Sequence, residues 1–162
     1  MYQKYKRQLF LICLRYAVDK GQAQDFLQDA FVNIYKKLDQ FDRMKGSFGS
    51  WASRITVNEC LAYARKKTLY PVNISEAEEV ESTDNSALSQ LSLKEMLLLI
   101  HGLPYGYRTI FNMYVIDGFS HKEIANQMGI SVSTSKSQLA KARKVLQKKI
   151  LTQKEVRYQE HG

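Results

Sequence analysis

The clearest hydrophobic pattern in the chain lies in residues 119–149, on both sides of a single glycine. Before the glycine, Ile124 and Met128 are one helical turn apart. After it, apolar residues recur every three or four positions, at Leu139, Ala142 and Leu146. Gly129 is the residue type that ends a helix in the left-handed conformation at little cost. The pattern therefore predicts two short helices joined by a tight turn.

Serines mark the starts of these two helices. Ser120 precedes Glu123 by three residues, which is the spacing of a capping box, and either Ser131 or Ser133 can cap the second helix. We expect the outward side of the second helix to carry hydrogen-bonding and cationic residues: Thr134, Ser135, Lys136, Ser137, Gln138, Lys141 and Arg143. Such a surface suits a helix that lies in the DNA major groove. The alternative is a surface helical hairpin with a solvated basic face.

Helical spacing also dominates the first 67 residues and predicts three helices. The stripe expected to be buried in the first helix is Leu9, Ile12, Cys13, Tyr16 and Ala17, and we expect Gly21 to end this helix. A second helix is predicted over residues 24–38, with the apolar stripe Leu27, Phe31, Ile34 and Leu38. The opposite side of that helix is acidic and rich in amides, at Asp25, Gln28, Asp29 and Asn33.

Residues 41–50 are rich in Gly and Ser and predict an irregular loop before a third helix over residues 50–67. This third helix has two apolar sides, which indicates that neighbouring elements enclose it. Two polar strips lie between them, one at Arg54, Asn58 and Arg65 and the other at Thr56, Tyr63 and Lys67. These positions can form a nucleic-acid face, although cations near a helix C-terminus also occur for purely structural reasons.

Charge divides the chain into three parts. Residues 1–67 hold 13 Lys and Arg against six Asp and Glu, residues 68–93 hold five acids and no base, and residues 94–162 hold 11 bases against five acids. Two basic blocks around an acidic strip are expected of two nucleic-acid-binding modules on a tether, although chance could produce them too. Residues 68–87 have no sustained apolar period and predict a flexible acidic linker.

The resulting fold class is all-α, with two small helical domains. Residues 1–67 are predicted to form a three-helix N-terminal domain. Residues 88–150 are predicted to form a four-helix C-terminal helix-turn-helix domain, which includes helices over 88–100 and 107–116, and residues 151–162 are predicted to be a tail. No strand pattern and no internal repeat is evident in the sequence.

Several functional classes find no support in the sequence. No apolar run is long enough to span a bilayer, and Arg15 interrupts the run at residues 9–14 that could imitate a signal peptide, so we expect a cytoplasmic protein. Cys13 and Cys60 are isolated in apolar helical contexts, which favours buried thiols in a reducing compartment. We find no metal-ligand spacing, no Ser/His/Asp set and no phosphate-binding Gly loop. We therefore expect no catalytic residue, metal, cofactor or small-molecule substrate.

Two segments of the chain resemble one known family. The first segment is DFLQDAFVNIYKKL followed by FDRMKGSFGSWASRITVNECLAYARKK, and the second is LPYGYRTIFNMYVIDGFSHKEIANQMGISVSTSKSQLAKARKVL. They resemble the N-terminal and helix-turn-helix domains of bacterial sigma factors of the sigma-70 family, extracytoplasmic-function (ECF) group. The resemblance covers nearly the whole chain. It implies a promoter-specificity subunit that binds core RNA polymerase, recognises the −10 and −35 elements and supports DNA opening.

The resemblance also implies three sets of site residues. Polymerase binding, on a basic coiled coil of the core enzyme, is implied for Asp25, Gln28, Asp29 and Phe31. The loop over residues 41–50 corresponds to the element that captures an unstacked base of the −10 region, and contacts to this region are implied for Ser47, Arg54, Asn58, Tyr63, Arg65, Lys66 and Lys67. Contacts to the −35 element are implied for Ser133, Thr134, Lys136, Ser137, Gln138 and Lys141.

The sequence departs from the family pattern at three places. The family usually has an apolar residue at the position of Ser135 and a basic one at that of Gln138, and Gln138 can pair bidentately with adenine where Arg would prefer guanine. An acidic pair that usually precedes the polymerase helix is only half present, as Gln24 and Asp25. These departures affect the expected −35 sequence more than the family assignment.

The partners implied are core RNA polymerase and promoter DNA, with an anti-sigma factor as a third because the family often has one. Two other classes of protein remain as alternatives. A stand-alone helix-turn-helix regulator would dimerise on half-sites and would have no use for an acidic docking face in residues 1–67. A nucleic-acid enzyme would need reactive groups that the sequence does not show.

Overall fold

The computed structural model describes residues 2–66 and 92–161, and every regular element in these ranges is helical. The all-α prediction is therefore confirmed. The chain divides into two compact units, Met1–Leu69 and Tyr70–Gly162. The predicted linker over residues 68–87 and the predicted helix start at residue 88 lie outside the described residues.

The first unit contains three α-helices and one short 3-10 helix. The α-helices are α1 at Tyr2–Tyr16, α2 at Lys20–Lys36 and α3 at Phe48–Lys66, and the 3-10 helix is Leu38–Gln40. Each α-helix packs against the other two. The whole stripe predicted for α1 is buried, and α3 is buried on both apolar sides, at Ala52, Ile55, Val57, Cys60, Leu61 and Ala64. The prediction that neighbours enclose α3 is confirmed.

The boundary between α1 and α2 differs from the prediction. Gly21 does not end α1, because α1 stops at Tyr16 and Gly21 lies in the first turn of α2. The Asp19 carboxylate accepts a hydrogen bond of 2.8 Å from the backbone N–H of Gln22 and so caps α2. A side-chain cap that satisfies an unpaired N–H outweighs the low helix propensity of one glycine in the first turn.

The buried side of α2 also differs from the predicted stripe. Its buried residues are Ala23, Phe26, Leu27, Ala30 and Ile34. Phe31 and Leu38 are half-buried, and Leu38 belongs to the 3-10 helix after α2 has ended. Two alanines occur among the buried residues because they allow α2 to approach its two neighbours closely.

The second unit contains four α-helices in the described residues. They are α4 at Leu93–His101, α5 at Tyr105–Phe111, α6 at His121–Met128 and α7 at Val132–His161. A π-helical turn, Asn112–Ile116, extends α5, so the predicted helix over 107–116 begins two residues earlier and changes its hydrogen bonding at Asn112. Helices α5 and α6 pack on α7 around Ile110, Phe111, Met113, Ile124, Leu139, Ala142 and Leu146.

Helix α7 is longer than predicted. Residues 151–161, which were expected to form a tail, continue the helix. No Gly or Pro occurs between Gly129 and Gly162, so no residue in this stretch breaks the helix. Within this extension, Arg157 pairs with Glu95 of α4. Just before it, Lys149 Nζ donates to the carbonyl of Gly102, the residue that follows α4, at 2.6 Å.

The start of α4 carries a pH-dependent contact. Ser92 and Glu95 form a reciprocal capping box, in which the Glu95 carboxylate accepts from the Ser92 backbone N–H at 3.0 Å. This hydrogen bond, with a smaller contribution from Arg157, lowers the pKa of Glu95 from 4.5 to about 2. A carboxyl whose folded-state pKa is depressed stabilises the fold above its unfolded pKa, and this contribution is lost as pH falls towards the folded value.

We therefore expect Glu95→Gln to reduce the pH dependence of stability between pH 4.5 and about 2. The measurement is thermal unfolding of both proteins by circular dichroism across that window. The other carboxyls titrate in both proteins, so the difference between the two curves isolates Glu95. If both proteins lose the same stability as the pH falls through this window, ionisation of Glu95 does not contribute to the stability of the fold.

Candidate functional site

The two helices predicted from residues 119–149 are present as α6 and α7. Ser120 Oγ accepts from the backbone N–H of Glu123 at 3.1 Å and caps α6. Gly129 ends α6 with φ 67° and ψ 34°, in the left-handed region that glycine enters without strain. Ser131 Oγ accepts from the backbone N–H of Thr134 at 3.0 Å, so Ser131, not Ser133, caps α7.

The six residues implied for −35 contacts all lie in the first three turns of α7. Ser133 and Lys136 are exposed, and the remaining four are half-buried: Thr134, Ser137, Gln138 and Lys141. None of the six belongs to the fully buried side of the helix, which packs on α6 and α5. The structure thus gathers hydrogen-bonding and cationic side chains at the N-terminal end of one helix.

Two residues expected on this outward side interact within the second unit. Ser135 is fully buried, and its Oγ is 2.8 Å from Nδ1 of His121. Arg143 is half-buried, with its guanidinium 5.9 Å from the centre of the Tyr114 ring. The prediction was wrong for Ser135 because the polar partner that satisfies it comes from α6. This partner also accounts for a serine where the family usually has an apolar residue.

His121 connects three elements of the second unit. Its ring stacks on Tyr114 of the π-helical turn at 4.3 Å with an interplanar angle of 19°, while Nδ1 contacts Ser135 of α7. Burial lowers the pKa of His121, and the positive charges of Lys136 and Arg143 lower it further. These effects favour the neutral form of the imidazole. Sequence reasoning did not identify this contact, because no spacing rule relates positions 121 and 135.

The residues implied for −10 contacts lie along α3 and at its start. Arg54, Asn58 and Arg65 are exposed on one side of α3. Tyr63 is half-buried, and its ring contacts the ring of Phe26 in an edge-on arrangement at 5.4 Å. The side chain of Lys66 and all of Lys67 lie outside the described residues.

One member of the predicted polar strips on α3 is not at the surface. Thr56 is fully buried, and its hydroxyl donates to the carbonyl of Ala52 at 2.9 Å. This local hydrogen bond satisfies the hydroxyl within the helix, so Thr56 can occupy a core position. The exposed face of α3 is accordingly narrower than the sequence pattern indicated.

A pocket of about 680 Å³ opens beside the loop that precedes α3. Its lining combines aromatic, cationic and hydroxyl side chains, including Tyr5, Phe41, Phe48, Lys4, Arg43 and Ser47. The aromatic rings contact one another, with centroid distances of 5.0 Å for Tyr5–Phe48 and 5.4 Å for Phe41–Phe48. Trp51 adjoins the same cluster, 5.2 Å from Phe41.

Each group in this pocket suits an unpaired nucleotide. Aromatic faces can stack a base, which contributes about 1–3 kcal/mol per base, and Lys4 and Arg43 can attract a phosphate. Ser47 is exposed and also accepts from the backbone N–H of Ser50 at 3.2 Å, which anchors the loop to the start of α3. Sequence reasoning identified the loop but missed Lys4 and Tyr5, because both lie on α1.

The four residues implied for polymerase binding lie on α2. Asp25, Gln28 and Asp29 are exposed, and Phe31 is half-buried. A groove of about 630 Å³ has Gln28 and Phe31 in its lining, together with the apolar residues Phe10, Leu27 and Val32 and the polar residues Lys6, Lys20 and Gln24. An acidic and amide-rich row therefore lies next to a groove with mixed apolar and basic walls, which is an arrangement suited to a protein partner.

Across residues 2–66 and 92–161, no three His, Cys, Asp or Glu side chains are grouped closely enough to hold a metal ion. No helix within those two ranges is both long and apolar enough to cross a bilayer.

Two family models match the chain. Sigma-70 region 2 matches residues 1–69, and Sigma-70, region 4 matches residues 93–146. The chain is 32% identical to the ECF RNA polymerase sigma-E factor of Escherichia coli (strain K12), over 91% of this chain and 83% of that protein. It is 26% identical to the protein of the same name from Haemophilus influenzae, over 91% of this chain and 84% of that one.

Two solved structures share the fold. The sigma factor RpoE of Bartonella quintana, in complex with the anti-sigma factor NepR, has a TM-score of 0.54 and 22% identity, over 93% of this chain and 94% of that one. CnrH, in complex with the cytosolic domain of CnrY, has a TM-score of 0.50 and 20% identity, over 93% and 85%. Together with the matched relatives and both family models, these findings show that the chain belongs to the ECF group of sigma-70 family sigma factors.

Proposed function

We propose that this promoter-specificity subunit divides promoter recognition between its two units. The first unit binds core polymerase through α2 and holds the unpaired −10 strand at the pocket and along α3. The second unit places the start of α7 in the major groove of the −35 element. The observation that carries this proposal is the aromatic and cationic pocket, since a protein that reads only duplex DNA has no use for a site that fits an unpaired base.

The proposed −10 site brings together groups with different tasks. A base that leaves the duplex stacks against the rings of Tyr5, Phe41 and Phe48, and this contact offsets part of the cost of extruding it. Downstream of the pocket, Arg54, Asn58 and Arg65 follow one side of α3, where they contact the strand that continues from the captured base.

The proposed polymerase site is the row Asp25, Gln28 and Asp29 with Phe31 beside it. Carboxylates steer the unit to a basic partner, and the apolar walls of the neighbouring groove, at Phe10, Leu27 and Val32, supply area that loses water on binding. We propose an anti-sigma factor as a further class of partner, because the solved structure of the sigma factor RpoE described above contains one. We propose that the subunit acts in the cytoplasm and does not itself catalyse a reaction.

At the −35 element, we expect Lys136→Ala to weaken binding about tenfold at low salt and to reduce the slope of log affinity against log salt by about one. Lys136 is exposed at the start of α7, where its ammonium group can replace one counterion at a phosphate. The matched control is Lys148→Ala, an exposed lysine farther along the same helix. A salt titration of duplex binding measures both effects, and a loss confined to −10 recognition contradicts the assignment.

The experiment that tests the proposed function is run-off transcription with the purified chain and core polymerase across a pool of genomic promoter fragments. We expect a defined subset of promoters to be transcribed, with start sites at a fixed distance from shared −10 and −35 sequences. If the chain instead binds duplex promoter DNA tightly by itself and leaves polymerase unaffected, it acts as a stand-alone regulator.

A further inference from the structure

A hydrogen bond joins the starts of the two helices in the helix-turn-helix. Ser135, in the first turn of α7, is fully buried, and its Oγ lies 2.8 Å from Nδ1 of His121, the first residue of α6. A buried hydroxyl that loses its hydrogen-bond partner keeps the cost of its desolvation, so the core position of Ser135 depends on this contact. The apolar residue that the family usually has at this position needs no such partner. The bond is therefore a property of this chain that the family pattern does not predict.

The ring of Tyr114 fixes the orientation of the imidazole. The His121 ring stacks on Tyr114 of the π-helical turn, with the ring centroids 4.3 Å apart and an interplanar angle of 19°. The guanidinium of Arg143 lies 5.9 Å from the centre of the same Tyr114 ring. Arg143 belongs to α7, about two turns beyond Ser135. The pair formed by Tyr114 and His121 therefore contacts α7 at two points along the first half of that helix.

The contact at Ser135 lies among the residues that the proposed function assigns to the −35 element. Thr134 and Lys136 are its neighbours in the chain, and Lys136 is exposed. Apolar packing between α6 and α7 is non-directional, so it does not by itself fix the rotation of α7 about its axis. A hydrogen bond and a ring stack both have preferred geometries. These two contacts of His121 are therefore suited to fix the direction in which the start of α7 faces.

We propose that His121 is a positioning residue for −35 recognition, and that it holds the start of α7 in its DNA-binding orientation only while its imidazole is neutral. This inference rests on the proposed −35 function of α7. A neutral imidazole accepts the hydroxyl proton of Ser135 at Nδ1, whereas an imidazolium carries a proton on both ring nitrogens and accepts none. Protonation of His121 therefore withdraws the acceptor from the buried hydroxyl.

The groups around His121 oppose its protonation. Burial lowers the pKa of His121 from 6.5, and the positive charges of Lys136 and Arg143 on α7 lower it further. Tyr114 is the titratable side chain that faces the ring from the π-helical turn. A ring that has left Ser135 regains a pKa near 6.5, so each pH unit below 6.5 favours that released state by up to about tenfold, until the pH reaches the lowered pKa. The contact is therefore fully present above pH 6.5 and weakens in acid.

The test measures the affinity of holoenzyme, assembled from the full chain and core polymerase, for a −35 duplex at two pH values. The duplex comes from a promoter that run-off transcription identifies, and fluorescence anisotropy at constant ionic strength measures binding. We expect the affinity to fall about three- to tenfold between about pH 7.5 and about pH 5.5, because the released state gains weight as His121 binds a proton.

Two variants remove the proton-dependent contact from opposite sides. His121→Asn keeps an acceptor near the place of Nδ1 but does not titrate in this range, and Ser135→Val removes the hydroxyl. In both variants we expect the affinities at the two pH values to differ by less than about twofold. The matched control is His161→Asn, which removes an exposed histidine at the end of α7 and should keep the full loss in acid. Circular dichroism at both pH values verifies that each variant is folded.

Three results would overturn the proposal. Equal affinities of the unsubstituted protein at both pH values show that α7 keeps its orientation beside a charged imidazole. A higher affinity in acid shows that the imidazolium attracts phosphate and does not act through Ser135. A loss in acid that persists in either His121→Asn or Ser135→Val, or that His161→Asn also abolishes, has its cause elsewhere. Holoenzyme that binds no −35 duplex at either pH contradicts the proposed function itself, which is a separate outcome.

Discussion

Asp29→Arg is expected to lower the affinity of the chain for core polymerase by about 100-fold or more. Asp29 is exposed on α2, in the row that the proposed function assigns to polymerase, so the change leaves the buried side of the helix intact. The family resemblance implies a basic partner surface at this point. Replacing an attractive charge by a repulsive one at an interface costs several kcal/mol, and each 1.4 kcal/mol is a factor of ten in affinity.

The matched control is Asp39→Arg, which makes the same change in net charge at another exposed position of the first unit. Fluorescence anisotropy of the labelled chain with core polymerase measures the affinity, and circular dichroism verifies that the helical content is retained. A specific contact predicts a large loss for Asp29→Arg and a small one for Asp39→Arg. Equal losses would show that only the overall charge matters, and two unchanged affinities would remove the docking assignment.

Leu61→Ala is expected to destabilise the first unit by about 2–5 kcal/mol, because it opens a cavity in a packed core. Leu61 is completely buried on α3, the helix that α1 and α2 enclose. A small domain is stable by only about 5–15 kcal/mol, so this single change removes a large part of the total. Polymerase and −10 binding should fall with the folded fraction, while duplex −35 binding by the second unit should be retained.

Trp51 makes this prediction directly measurable in the full chain. It is the only tryptophan, and it lies in the first unit against Phe41 and Phe48, so its fluorescence reports the unfolding of that unit. In a urea titration, Leu61→Ala should lower the midpoint and leave the slope unchanged. Leu61→Met, which conserves volume, should cost less than about 1.5 kcal/mol. A midpoint unaffected by Leu61→Ala would place Leu61 outside the core.

Local signals predicted much of the fold. The ends of α6 and the start of α7 depend on Ser120, Gly129 and Ser131, each of which acts within three or four residues along the chain. The stripe of α1 was predicted correctly because its period is a property of one helix. The predicted boundary between α1 and α2 was wrong because Gly21 was expected to end α1. Asp19, two residues earlier, instead caps α2 and places Gly21 in its first turn.

The site residues show where sequence reasoning is limited. Their roles remain predictions, but the structure decides which of them are accessible. Ser135 and Ser137 are the same residue type, and the sequence pattern predicted both for the DNA face. Only the packing of His121 from α6 against Ser135 of α7 makes one buried and leaves the other accessible. Thr56 is buried for a comparable reason, since enclosure by two neighbouring helices narrows the free side of α3.

The sequence by itself determined the helical class and the helix-turn-helix, because these follow from periods and caps that act over a few residues. Its resemblance to known sigma factors indicated the family. Only the tertiary structure decided that Lys4 and Tyr5 join Phe41, Phe48 and Arg43 around one pocket. It likewise decided that Ser135 lies buried against His121. Helix packing brings these groups together from distant parts of the chain, and local spacing carries no information about which distant side chains meet.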